Sequence, residues 1–133
     1  KESLIHAGIS NNVEIQIEWI NFKSIIDNTK IQHFQNGGEY KIKINNKNTK
    51  VDGYSNKLNK VYEFNGDFWH GNPKIFNMKK KNIFSKKTFG KLFKETNERI
   101  KNIKKLNYEV EEIWENDWKL HKKLMKSIRN HKI

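Results

Sequence analysis

Apolar and polar positions along the first part of the chain fit two periods. After a potential N-cap at Ser10, apolar residues recur at helical spacing as far as Ile20, and this spacing predicts a helix over residues 11–27. Every second residue from Val13 to Trp19 is also apolar, which would equally suit a strand. We favour the helix.

The middle of the chain contains short apolar runs between turn residues. Asn-Gly-Gly at 36–38 predicts a turn, and a strand is expected at residues 40–44. Residues 45–50 are polar and are predicted to form a loop. Two further strands are expected at residues 50–54 and 60–64, and they are predicted to pair.

The second half of the chain predicts two helices around one strand. A basic loop at residues 74–87 leads to Thr88, which can cap a helix with apolar positions at Phe89, Leu92, Phe93, Thr96, Ile100 and Ile103. A strand at 108–114 and a helix from Asp117 follow. This order of elements predicts an α/β fold in which helices pack on one mixed β-sheet.

Length and composition limit the class of protein. A chain of 133 residues fits one domain, and the absence of cysteine excludes disulfides and thiolate metal sites. No apolar run is long enough to cross a bilayer and no secretory leader is present, so we expect an intracellular protein, cytoplasmic or nuclear, with no membrane partner. Because the chain begins with Lys1, it is expected to be a processed product or a domain excised from a larger protein.

Positive charge is concentrated in one stretch. The net charge is +12, and residues 74–105 alone carry +10. A clustered excess of this size favours a polyanionic partner, most simply nucleic acid, although a solvated lysine-rich face remains the alternative. The candidate DNA-binding lysines are Lys79, Lys80, Lys81, Lys86, Lys87 and Lys91.

Three residues with catalytic chemistry precede the basic stretch. Asp52 and Glu63 are expected on paired strands, and His70 follows at a strand end. Carboxylates hold hard divalent cations such as Mg²⁺, and a histidine can accept a proton from an attacking water. The alternatives are structural: a turn acid at 52, a cross-strand ion pair at 63 and a hydrogen-bonded histidine at 70. The combination favours phosphodiester hydrolysis.

The stretch Gly66-Asp67-Phe68-Trp69-His70-Gly71 resembles the Gly-x-Phe-Trp-His motif of very-short-patch repair endonucleases. More widely, the chain is similar to the Vsr-like branch of the PD-(D/E)XK nucleases, which includes homing endonucleases with a Glu/Asp/x/His/Asp motif. The resemblance covers about residues 10–118. It implies a restriction-endonuclease-like fold, with residues 119–133 as a C-terminal basic helix.

The resemblance also implies roles for individual residues. Asp52 would be the central Mg²⁺ ligand, with Mn²⁺ able to substitute, and His70 would activate water. A glutamate of the first helix would orient water around the metal, and Glu14 and Glu18 are both eligible. Phe68 and Trp69 would form an aromatic wedge between base pairs of double-stranded DNA, with ordinary core packing as their alternative.

The chain departs from the family pattern at three positions. Glu63 is not followed by the lysine of a Glu-x-Lys signature. Alignment on Phe-Trp-His places Phe64 at the second metal position, so Glu63 would bind metal only if its side chain turned inward or the strand were bulged. The last acid of the motif falls at Thr96, where Glu95 or Glu98 would have to substitute.

We therefore predict a Mg²⁺-dependent DNA endonuclease of the repair or homing type. A viral or phage genome is compatible with this prediction as its source. The alternative is a nuclease-fold DNA-binding module with weak or lost catalysis, and a third reading is an RNA-directed domain. Target specificity would come from loops or from a fused DNA-binding domain. The sequence leaves the oligomeric state open.

Overall fold

The computed structural model describes residues 12–131. In chain order the elements are α1 (Asn12–Ile26), β1 (Lys41–Ile44), β2 (Lys47–Lys50), β3 (Gly53–Ser55), β4 (Lys60–Asn65), α2 (Asp67–His70), α3 (Phe89–Lys105), β5 (Glu109–Trp114) and α4 (Glu115–Asn130). These residues form one small α/β domain with four helices and two sheets. None of these helices is long and apolar enough to cross a membrane.

A three-stranded sheet in the order β3-β4-β5 lies at the centre of the domain. β3 runs antiparallel to β4, whereas β5 runs parallel to it, from Lys60 opposite Glu109 to Asn65 opposite Trp114. Parallel neighbours need a crossover connection, and α3 lies within it. The sheet is therefore mixed, as predicted.

Both faces of β4 are covered, and all six of its residues are buried. Tyr62 and Phe64 belong to one apolar cluster, whose other buried members are Trp19 and Ile20 of α1, Ile31 of the segment between α1 and β1, and Trp118 of α4. Val61 belongs to the second cluster, with Ile42, Val51, Tyr54 and Ile103. Since side chains alternate along a strand, Glu63 shares the face of Val61 and points towards α3.

Several predicted elements are confirmed. Residues 12–26 are helical, so the strand alternative for this stretch is wrong. The strands near 40–44, 60–64 and 108–114 form within one residue of the predicted bounds. α3 begins after Thr88, whose hydroxyl accepts a hydrogen bond from the Lys91 N–H as an N-cap.

Other predictions are wrong in detail. Residues 47–50 form β2 rather than a loop, because Asn45 and Asn46 adopt positive φ angles of 50° and 63° and close a hairpin with β1. This hairpin is a separate sheet, so the domain has two sheets rather than one. The predicted strand at 50–54 breaks between β2 and β3, and α4 begins at Glu115 rather than Asp117.

Candidate functional site

Two carboxylates meet at the junction between β3 and β4. Asp52 lies in the link between β2 and β3, and Glu63 lies on β4. The Asp52 N–H donates a hydrogen bond to Glu63 Oε2 at 3.0 Å, and the Phe64 N–H donates to Asp52 Oδ2 at 2.8 Å. The structure therefore brings together the two acids that were proposed as metal ligands, with the Glu63 side chain turned inward as that role requires.

The two carboxylates of this pair repel each other when both are ionised. Burial, and then the neighbouring Glu63 charge, raise the pKa of Asp52 to about 8. The Phe64 N–H and the Arg99 guanidinium act in the opposite direction without cancelling these effects. Asp52 therefore retains a proton at neutral pH unless a further positive charge arrives.

Arg99 of α3 contacts Glu63, one member of the carboxylate pair, and was not predicted as a site residue. Its Nε donates to Glu63 Oε1 at 2.5 Å, and its Nη2 donates to the Lys50 carbonyl oxygen at 2.6 Å. About a third of the side chain is exposed. The guanidinium also lines a surface cavity of about 380 Å³ between the β1–β2 hairpin and α3, so a ligand can reach it from solvent.

His70 lies on the one-turn helix α2 rather than at the end of a strand, because β4 ends at Asn65. Its Nδ1 is 3.0 Å from the Thr96 hydroxyl oxygen, and the Thr96 hydroxyl is 2.9 Å from the Leu92 carbonyl oxygen, to which it donates. A hydroxyl has one hydrogen, so Thr96 accepts from the Nδ1–H of His70. The lone pair of the imidazole is thereby placed on Nε2.

The charge state of His70 follows from its surroundings. Burial, and then the positive charge of Arg99, lower the pKa of His70 to about 4. The imidazole is therefore neutral at physiological pH. A neutral ring whose lone pair is fixed on Nε2 can accept a proton, which is what a general base requires.

Helix α3 connects the histidine to the carboxylates. Thr96 and Arg99 are three residues apart on this helix, which corresponds to a rise of about 4.5 Å on one face. Through them, His70 and Glu63 contact neighbouring positions of one helix. Gly71 permits this approach: a Cβ there would lie 2.2 Å from the Phe89 carbonyl oxygen, and its φ is +70°.

The alignment that placed the last acid of the motif at Thr96 thus identified a residue that contacts His70. The two glutamates named as substitutes lie elsewhere: Glu95 pairs with Lys87 at 3.0 Å, and Glu98 is exposed. A hydroxyl therefore occupies the place of the expected carboxylate. It can fix the tautomer of the histidine but adds no negative charge to raise its pKa.

Neither glutamate of α1 forms a hydrogen bond or ion pair with Asp52, Glu63 or His70 in the described part of the chain. Glu18 accepts a hydrogen bond from Trp118 Nε1 at 3.1 Å and pairs with Lys122 at 2.6 Å, both on α4. Glu14 is exposed. The proposal that one of them orients water around a metal gains no support from these positions.

Phe68 and Trp69 are half-buried in an aromatic cluster beside the basic loop. The Phe68 ring lies 5.0–5.9 Å from the rings of Trp69, Phe76, Phe84 and Phe89, which fits the packing alternative. Trp69 contacts the rings of Phe68 and Phe84. The six candidate DNA-binding lysines, from Lys79 to Lys91, are exposed.

The donor set at Asp52 and Glu63 fits Mg²⁺. This ion binds proteins through one or two carboxylates and keeps waters or substrate phosphates as its other ligands. Within residues 12–131 no three His, Cys, Asp or Glu side chains converge on one point, so a fully protein-made cage is not formed there. The raised pKa of Asp52 marks a place where an added cation would relieve charge repulsion.

No protein-family model matches this chain, and no curated protein or solved structure matches it significantly. The resemblance to the Vsr-like nucleases therefore rests on the motif residues and stays a hypothesis.

Proposed function

We propose that this protein is a Mg²⁺-dependent endodeoxyribonuclease that hydrolyses a phosphodiester bond of double-stranded DNA. The observation that carries the proposal is the joint arrangement on α3, in which Thr96 hydrogen-bonds His70 while Arg99 hydrogen-bonds Glu63, whose other oxygen accepts from the Asp52 N–H. Vsr-like chemistry and a restriction-endonuclease-like classification of the fold are part of the same proposal.

In this reaction, His70 Nε2 accepts a proton from a water molecule as the water oxygen bonds to phosphorus. The bond from phosphorus to the leaving oxygen of the sugar then breaks, that oxygen takes up a proton from solvent, and the His70 imidazolium returns its proton to solvent. Mg²⁺, held by Asp52 and Glu63, would polarise the phosphoryl group and neutralise its charge. Mn²⁺ would serve in the same way, since it also prefers oxygen ligands.

Arg99 supplies the positive charge that a Glu-x-Lys signature would have placed on β4. Two of its five N–H donors are engaged, with Glu63 and Lys50, so others are available to a phosphate oxygen. A bound phosphate would offset the field of the guanidinium and raise the pKa of His70 towards working pH, which would strengthen the base.

The decisive experiment is nicking of supercoiled plasmid in Mg²⁺ and in Mn²⁺. We expect His70→Ala to slow nicking by about 10²–10⁴-fold, the range for loss of a general acid–base group, and Asp52→Asn to abolish it. Both variants should keep duplex affinity. The matched controls are His121→Ala and Asp117→Asn, whose side chains lie on α4. Undiminished nicking by both site variants would refute the proposal.

The second candidate function is a DNA-binding module without appreciable catalysis. The observation that favours it is Thr96, since a neutral hydroxyl leaves the pKa of His70 low. Salt-sensitive duplex binding without nicks under either metal would support this module. Preference for RNA over duplex DNA in competition would support the third reading.

A further inference from the structure

Ile83 stands at the tip of a closed loop formed by residues 82–87 and is 71% exposed. The base of the loop is closed by two backbone hydrogen bonds of 2.8 Å, from the Asn82 N–H to the Lys87 oxygen and from the Lys86 N–H to the Asn82 oxygen. Its neighbour Phe84 turns back onto the rings of Phe68 and Trp69. Ile83 is thus the most exposed apolar side chain of this loop, beside Phe84, which is 40% exposed.

The loop is fixed rather than loosely tethered. Asn82 is fully buried; its Oδ1 accepts from the Phe84 and Ser85 N–H groups, and its Nδ2 donates to the Phe68 carbonyl oxygen at 3.0 Å. Phe68 is two residues before His70 on α2. The position of Ile83 relative to the candidate base is therefore set by a short chain of hydrogen bonds.

The surroundings of Ile83 are strongly cationic. The exposed lysines that flank it within four residues are Lys79, Lys80, Lys81, Lys86 and Lys87. By contrast, Ile25 is 79% exposed on α1, and Lys23 is the only basic residue within four positions of it. A rigid apolar side chain surrounded by lysines suits duplex DNA, because the stacked bases are apolar and the phosphates around them are negatively charged.

We propose that Ile83 inserts between adjacent base pairs of duplex DNA, while the flanking lysines contact the phosphates on either side. This inference rests on the proposed function for its ligand, but it assigns the wedge to Ile83 in place of Phe68 and Trp69. Because the loop is fixed to α2, insertion also sets which phosphate lies opposite His70.

Insertion unwinds DNA, and unwinding can be measured without knowing the target sequence. Closed circular plasmid is relaxed by a topoisomerase that needs no divalent cation, in EDTA and with Asp52→Asn as the parent protein, so that nicking does not interfere. The parent should lower the linking number in proportion to the amount bound. Ile83→Ala in this background should abolish that change at equal occupancy.

Affinity should respond much less than unwinding, because the cost of unstacking offsets most of the contact that Ile83 gains. We expect binding by Ile83→Ala to weaken on the order of threefold, with an unchanged slope of log affinity against log salt since no phosphate contact is lost. Ile83→Lys adds charge but no wedge, and it should likewise bind without unwinding. Ile25→Ala is the matched control and should behave as the parent.

Linking-number changes that are equal in the parent and in Ile83→Ala would overturn the proposal, as would a parent that binds duplex without unwinding it. Retained unwinding by Ile83→Lys would also overturn it, because the effect would then follow charge. These outcomes leave the hydrolytic proposal untouched, since that proposal fails separately if the wild-type protein produces no nicks in Mg²⁺ or Mn²⁺.

Discussion

Replacing Asp52 with Asn should stabilise the metal-free protein. Burial and the charge of Glu63 raise the pKa of Asp52 from an ordinary value of 3.8 to about 8, a difference of about four pH units. At about 1.4 kcal/mol per pH unit, the full pKa difference would lower the free energy of unfolding of the wild-type protein by about 5–6 kcal/mol above pH 8. Asp52 is half-buried, and water and neighbouring groups relax around its charge, so we expect about 1–3 kcal/mol.

The direction of the pH dependence follows from proton binding. Between pH of about 4 and 8 the native wild-type protein holds a proton on Asp52 that the unfolded chain has lost, so its stability falls as pH rises. Asn carries no such charge, and its side-chain oxygen can still accept the Phe64 N–H. The advantage of Asp52→Asn should therefore be absent below pH 4 and complete above pH 8.

Urea unfolding followed by tryptophan fluorescence in EDTA measures this difference, because Trp19 and Trp118 are buried. Mg²⁺ should then stabilise the wild-type protein and leave Asp52→Asn unchanged. Asp117→Asn, which removes a carboxylate from the first turn of α4, should change stability by less than about 1 kcal/mol. Lower stability of Asp52→Asn at pH 8, or a difference that does not vary with pH, would refute the electrostatic account of the site.

Three further predictions concern the same region. Thr96→Val should slow nicking by about 10–100-fold, because the His70 ring then loses the hydrogen bond that fixes its proton on Nδ1. The ¹⁵N chemical shifts of His70 should show the altered tautomer, and Thr96→Ser should restore both the tautomer and the rate. An unchanged tautomer in the valine variant would contradict the role given to Thr96. Calorimetry should show Mg²⁺ affinity rising about tenfold per pH unit up to about pH 8, because Asp52 must lose its proton; a flat profile would exclude Asp52 as a ligand. Gly71→Ala should lower the free energy of unfolding in urea by about 1–3 kcal/mol or more, since the new Cβ meets the Phe89 carbonyl oxygen at a positive φ; wild-type stability would contradict this close packing.

The apolar patterns of the sequence were sufficient for the long elements. α3 shows the helical period clearly, and its buried residues are Phe89, Leu92, Thr96, Ile100 and Ile103, all of them predicted positions. β4 was recognisable because strands covered on both faces are rich in β-branched and aromatic residues. β2 was mispredicted as a loop because its sequence, Lys-Asn-Thr-Lys, is polar. It forms a strand because it pairs with β1 and because two asparagines at positive φ close the turn between them.

The residues of the site were only partly predictable. Asp52, Glu63 and His70 were proposed because two acids on paired strands precede a histidine, and only Asp52 and His70 fall at positions of the motif that the chain resembles. Arg99 was missed, since its contact with Glu63 spans 36 residues and depends on how α3 crosses the sheet. The clue in the sequence was its position three residues after Thr96, on the same face of α3.

The central claim is that Asp52 and His70 face one cation-binding site. Relaxation of amide protons by Mn²⁺, measured by NMR at low Mn²⁺ occupancy, tests it most directly, because the paramagnetic effect falls off steeply with distance from the ion. The account predicts that signals of residues 52–53, 63–64 and 70–71 broaden together. Broadening confined to residues near Glu14 and Glu18, or at 52–53 without 70–71, would contradict it.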